Sequence, residues 1–235
     1  MIAVPVATMA GLLVALGGTS AFALIKSRHK HAPIKAAFHL SSMWGLALAV
    51  VAIVLLWEGR PLASIGIQWD HYGAWAAGAM IGLTMVTFTV LSLHLGLQRG
   101  RSAIPQGSAQ GLKRLTDMPL WFRYAAVMTA AVTEEILFRG YPIERLQEIT
   151  GNAWLAAAIP LLVFVVAHLG GWSAGHLLGV LFGGMLLTAL YLVTRDLVAC
   201  MITHALIDST IIFLPALLRR YGNRQPQSHP AGGDR

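Results

Sequence analysis

The stretch Ala131-Val132-Thr133-Glu134-Glu135-Ile136-Leu137-Phe138-Arg139 sets three ionisable residues at the end of an apolar run that begins near Leu120. Carboxylates can act as general bases or orient an imidazole, and fixed donors can stabilise developing charge. Such groups are costly in an apolar setting, since one charge at membrane depth costs at least ~2.5–3.5 kcal/mol even on the lenient insertion scale. Three together need partners. Two later apolar runs supply them: Phe164-Val165-Val166-Ala167-His168 and His204-Ala205-Leu206-Ile207-Asp208. The expectation is that these three places converge on one buried polar site.

Helical spacing sorts the residues further. Neighbours on an α-helix differ by about 100°, so Glu134 and Glu135 face different ways. Glu135 and Arg139 are four apart and share a face, with the acid before the base as such pairs favour. That pairing leaves Glu134 free for chemistry. The competing reading makes both glutamates part of an ion-pair cluster that only holds helices together. His168 shares a face with Phe164 and serves either as a helix–helix hydrogen-bonding residue or in chemistry. His204 and Asp208, also four apart, can orient the imidazole through the carboxylate, bind a metal or simply satisfy each other.

In order along the chain, Glu-Glu-x-x-x-Arg, Phe-x-x-x-His and His-x-x-x-Asp resemble the motifs of the CPBP family. These are the CAAX prenyl proteases and bacteriocin-processing enzymes, also called the Abi family, which include the Ras-converting endopeptidase. The resemblance covers about 134–208, including Phe138-Arg139-Gly140-Tyr141, and the earlier runs match only in being hydrophobic. It implies an intramembrane endopeptidase that hydrolyses a peptide bond with an activated water. Carried over residue by residue, Glu134 is the general base and His168 helps to position or activate the water. His204 and the residue at 208 stabilise the oxyanion. Glu135, Arg139 and Phe164 are expected to be structural support.

Position 208 departs from the pattern, because the family often has Asn there. An ionised Asp has no donor to offer an oxyanion. Three roles stay open for Asp208: protonated donor, partner that orients His204, or metal ligand. In the last case Glu134, His168, His204 and Asp208 are the candidates to hold a divalent ion such as zinc. The family resemblance implies both metal-dependent and glutamate-dependent chemistry; the metal-free form is the preferred expectation.

The elements that position these residues follow from composition. Of 235 residues, 56% are hydrophobic and only 11% charged, against about 25% charged in soluble domains. Mean hydropathy is +0.65. The chain therefore reads as an integral membrane protein. Net charge is +7, but the basic residues lie between apolar runs and at the C-terminus. Positive-inside loops against anionic lipid explain that better than a nucleic-acid partner. The single cysteine, Cys200, excludes an internal disulfide and a Cys-rich metal cage.

Seven apolar runs lie roughly at 2–25, 36–57, 74–97, 120–141, 153–170, 176–194 and 197–217, each near the ~20 residues that a helical span requires. The expected fold is all-α: a polytopic transmembrane bundle of about seven spans, with the polar site between the fourth, fifth and seventh helices. The first run has no basic residues before it and reads as a span rather than a signal peptide. Residues 1–218 form one transmembrane domain with a motif-bearing core at about 120–217, and 219–235 form a basic, disordered cytoplasmic tail. Basic residues concentrate at 26–35, 99–114 and 219–224, which places the N-terminus outside and the C-terminus in the cytoplasm. A bacterial inner membrane fits. The connector after Gln98 reads as a cytoplasmic loop with a short interfacial helix around Leu112.

The expected partners are the lipid bilayer and a membrane-associated protein or peptide substrate. Two other function classes use the same polar cluster: a non-catalytic immunity protein or scaffold, and a proton-coupled transporter. Convergence requires the fourth helix to continue, kinked at Pro142, as far as Gln147, with a turn near Gly151. Gly171-Trp172-Ser173-Ala174-Gly175, beside His176, fits Gly-x-Ser-x-Gly, but a helix precedes it where a hydrolase elbow needs a strand. A glycine-rich interhelical turn is the better reading. His29, His31, His39, His71 and His94 form no constellation, and Gly183-Gly184 are expected to permit close helix packing.

Overall fold

The computed structural model describes residues 4–20, 34–99, 117–169 and 174–213. The basic cluster at Lys26, Arg28 and Lys30 lies outside these residues, as do Arg101, Lys113, Arg114, the Leu112 segment, the centre of the Gly-x-Ser-x-Gly stretch and the 219–235 tail. Among the described residues there is no strand. The helices are α1 (Val6–Leu12), α2 (Ile34–Ala52), α3 (Tyr72–Gln98), α4 in two halves (Leu120–Glu135 and Tyr141–Thr150), α5 (Ala153–Ala167), α6 (Ala174–Thr194) and α7 (Leu197–Asp208). π-helical turns extend α1 over Leu13–Gly17 and α2 over Ile53–Trp57, and a third, Ile136–Gly140, joins the halves of α4.

Local chemistry sets the helix ends that matter for the site. Gly151 (φ +67°) closes α4, in a left-handed conformation that glycine adopts without strain. Asn152 then opens α5, its side chain accepting from the Trp154 and Leu155 amides. Two residues separate α6 from α7. Arg195 (φ +53°) takes the left-handed turn, which costs a non-glycine residue about 1–3 kcal/mol. Its guanidinium bonds Glu144 at 2.9 Å and Gln147 at 2.7 Å, and its carbonyl accepts from Gln68. Asp196 caps α7 through the Ala199 amide at 2.7 Å.

These contacts gather residues 58–71, 151–152 and 195–196 at one end of the bundle. There the Leu197 amide donates to the Gly66 carbonyl at 2.7 Å, and Arg60 reaches Glu148. Arg145 and Glu58 form a buried ion pair at the same end. The Arg145 Nε and Nη2 donate to Glu58 Oε2 at 2.9 and 2.7 Å, and Tyr141 and Thr8 donate to Glu58 Oε1. Burial by itself would raise the Glu58 carboxyl; the hydrogen bonds from Arg145 and Tyr141 outweigh it and hold the group below its ordinary value.

Three helical stretches are long and apolar enough to cross a membrane: Ala37–Trp57, Tyr72–Gly96 and Gly175–Thr194. Shorter apolar helices cover Val6–Ser20, Ala153–Ala167 and Leu197–Phe213. The apolar surface points outward as well as inward. On α6, Leu178, Phe182, Met185 and Val193 are exposed while Leu187 and Tyr191 are buried. A water-soluble monomer rarely presents so much contiguous apolar surface. This is an integral membrane protein.

Helix α7 packs against α3, α4 and α6. Gly78 and Gly82, four apart on α3, allow the closest of these contacts. A Cβ at Gly78 would stand 2.5 Å from the Ala199 carbonyl oxygen, and one at Gly82 would stand 2.8 Å from Leu206 Cβ. Thr203 Oγ1 donates to the Gly78 carbonyl at 2.9 Å. Of Gly183-Gly184, only the second is a packing glycine: α5 closes on Gly184 through Leu161 and Phe164, while nothing approaches Gly183.

Candidate active site

The first motif lies where the first half of α4 passes into its π-helical turn. Glu135 is fully buried, and Arg139 Nη1 donates to its Oε1 at 2.9 Å. The same oxygen accepts from His204 Nδ1 at 2.7 Å. One carboxylate thus ties α4 to α7 across 69 residues of chain. Because Glu135 accepts, the His204 proton sits on Nδ1 and the ring presents Nε2 elsewhere. That nitrogen lies 3.4 Å from Asp208 Oδ2 and 4.0 Å from Glu134 Oε2.

The second motif ends α5. His168 follows its last turn, and Nδ1 donates to the Phe164 carbonyl at 2.8 Å. Donation from Nδ1 leaves Nε2 of a neutral imidazole with its lone pair available. The Phe164 ring is a three-way contact. Arg139 Cζ lies 4.4 Å above its centroid, a cation–π arrangement. The His168 ring is 4.6 Å away, and Phe138 meets it edge-on at 5.1 Å. The spacing of four between Phe164 and His168 therefore links the first motif to the imidazole.

Glu134 is partly accessible, with its side chain 17% exposed. It lies within electrostatic reach of His204, His168, Asp208 and Arg139. The structure thus draws Glu134, Glu135, Arg139, Phe164, His168, His204 and Asp208 into one neighbourhood. Gly140 supports it from behind, since a Cβ there would stand 2.6 Å from the Ile65 carbonyl oxygen. Two fully buried atoms of the cluster, Glu135 Oε2 and Arg139 Nη2, have no hydrogen-bond partner among the described residues.

Among the described residues no three His, Cys, Asp or Glu side chains are grouped to hold an ion. His204 spends Nδ1 on Glu135, and its Nε2 faces Asp208 directly.

One neighbour escaped the sequence reading. His176, in the first turns of α6, lies within electrostatic reach of His168 and Asp208. It continues the row Val180, Gly184, Leu187, Tyr191, spaced four, three and four on one helix face, whose inward direction comes from the burial of the last three.

No curated protein and no solved structure matches the chain significantly. Residues 116–210 match the family model described as type II CAAX prenyl endopeptidase Rce1-like. That interval holds all three motifs and the helices that carry them, and the matching model describes the family that the motifs resemble.

Proposed function

We propose that this protein is an intramembrane endopeptidase that cleaves a peptide bond of a membrane-associated protein or peptide, in CAAX-type or related processing. Glu134 acts as general base toward a water. The observation that carries this reading is the setting of His204: its Nδ1 is fixed by Glu135, so its Nε2 is aimed at the place where Glu134 and Asp208 meet. A partly accessible carboxylate beside an oriented imidazole is an acid–base site, whereas the Glu135–Arg139 pair beneath it is fully enclosed.

In the proposed reaction Glu134 takes a proton from the water as the water oxygen adds to the scissile carbonyl carbon. His168 Nε2 accepts a hydrogen bond from that water and aligns it. Negative charge gathers on the former carbonyl oxygen and is met by the Nε2–H of His204 in its cationic form, while Nδ1 keeps the proton it gives to Glu135. Glu134 then passes its proton to the amide nitrogen, the C–N bond breaks, and the tetrahedral carbon collapses to a carboxylic acid whose proton passes to the departing amine. Asp208 orients His204 from 3.4 Å. No step is routed through a metal.

The same reading has seven spans, with the site between α4, α5 and α7. The N-terminus is outside and the tail cytoplasmic.

The test is cleavage of prenylated and unprenylated candidate peptides by purified protein, with chelator and with metal analysis. Glu134→Gln is expected to fold as wild type and lose about 10²-fold or more in kcat. Wild type is expected to stay active after chelation. Retained cleavage by Glu134→Gln would overturn the reading; loss on chelation with recovery on adding zinc would overturn its metal-free form.

A further inference from the structure

The charges of the site do not balance on the motif residues alone. Glu134, Glu135 and Asp208 are three carboxyl groups, and Arg139 is the one permanent cation among the motif residues. Arg139 is spent on Glu135 at 2.9 Å. His204 is divided: Nδ1 serves Glu135, and Nε2 faces both Asp208 at 3.4 Å and Glu134 at 4.0 Å. His168 gives its Nδ1 to a backbone carbonyl. An apolar surrounding makes uncompensated carboxylates costly. The Asp208 side chain is 41% exposed, so a second donor from another element has access to it.

Helix register points to where that donor lies. The Cys200 thiol donates to the Leu187 carbonyl at 3.5 Å, which aligns α7 with α6. From that level Asp208 is eight residues along α7 and His176 eleven residues back along α6, both in the same direction. At 1.5 Å per residue the two differ in depth by about 4.5 Å, less than one helical turn. The phase agrees as well. His176 continues the face of α6 on which Gly184, Leu187 and Tyr191 are buried and Val180 packs against the core. The electrostatic coupling of His176 to Asp208 and His168 is the third observation.

We infer that His176 is a positioning residue that serves the Asp208 carboxylate from α6, so that His204 Nε2 remains directed at the reacting carbonyl. For its kinetic consequences this inference rests on the endopeptidase reading. Asp208 with His176 then forms a unit: the carboxylate holds His204, and His176 keeps that carboxylate from monopolising it. An amide at position 208 has no charge to be served and donates by itself.

A double-mutant cycle on the full-length protein in detergent tests this. The variants are His176→Ala, Asp208→Asn and the two combined. In wild type, His176→Ala is expected to lower kcat roughly tenfold or more, the scale of a hydrogen bond to a charged group, with KM changed less than about twofold. In the Asp208→Asn background the same change is expected to alter kcat by less than about twofold. Equal losses in both backgrounds, or no loss in wild type, would overturn the inference.

Thermal melting of the same four proteins gives an arm that needs no proteolysis. His176→Ala is expected to lower the midpoint in wild type and to leave it unchanged beside Asp208→Asn. Additive shifts would overturn the inference. Absence of cleavage by every protein, wild type included, would count against the endopeptidase reading, and the melting cycle would still decide the role of His176.

Discussion

Arg139 is held from two sides, by the Glu135 carboxylate and by the face of Phe164. Removing it strips the buried Glu135 of its only permanent counter-charge among the motif residues and leaves Phe164 facing a void. Breaking a buried pair from one side costs about 3–5 kcal/mol in soluble proteins. Arg139→Ala is therefore expected to accumulate poorly and to melt well below wild type, beyond any loss of turnover. Detergent melting curves and membrane yields check this, and a normal midpoint would count against it. The proximity of Glu135 to Arg139 was legible because an i, i+4 pair is local. The link from Glu135 to His204 was not, because it depends on how α7 is rotated against α4. His176 was hidden for the same reason: its meaning lies in the phase of α6, and only the buried positions of Gly184, Leu187 and Tyr191 reveal that phase.

At the scale of elements, α4 does two jobs along one axis. Its first half and π-helical turn carry the motif, and its second half carries Tyr141 and Arg145 to the Glu58 network. Sequence placed the interruption at Pro142, yet the wide turn comes earlier, at Ile136–Gly140. Pro142 sits in the first turn of the second half, where a missing amide costs least. The Glu58 network joins α1, the end of α2 and α4. Its pH dependence has a definite sign. The folded-state value of Glu58 is lowered from 4.5, so its stabilisation is complete above that ordinary value and disappears as pH falls through the lowered one. Wild type is expected to lose thermal stability on acidification below about pH 4.5. Glu58→Gln is expected to be less stable at pH 7 and flatter in that window. Parallel curves for the two proteins would contradict this role.

For the whole molecule, hydropathy made the helical architecture legible because apolar length is a property of single segments. α4 is not among the three long apolar stretches; it gives up apolar character to Glu134, Glu135, Arg139 and Arg145. Residues 58–71, 151–152 and 195–196 meet at one end of the bundle. The sequence puts the basic clusters at the opposite ends of the apolar runs, at 26–35, 99–114 and 219–224. A reporter fused at Arg224 is accordingly expected to be active on the cytoplasmic side only. Activity confined to the periplasm or lumen would reverse the orientation. What sequence alone could not supply was the depth at which Glu134, His168 and His204 meet, because helix tilt and the π-helical turn both alter it.

The turn at Ile136–Gly140 closes from the Tyr141 amide to the Ile136 carbonyl, five residues back. It thus holds one residue more than an ordinary α-helical turn. That surplus sets the torsional phase between two halves of one rod. Below it, Glu135 must look at His204; above it, Arg145 must look at Glu58. Were the same residues wound as a regular α-helix, the face that carries Glu135 and the face that carries Arg145 would swing by about 100° relative to each other. The chain could then satisfy the site or the far network, never both. The irregularity is a gear tooth that keeps two distant polar clusters in step, and its length in residues is as strictly specified as the identity of any side chain around it.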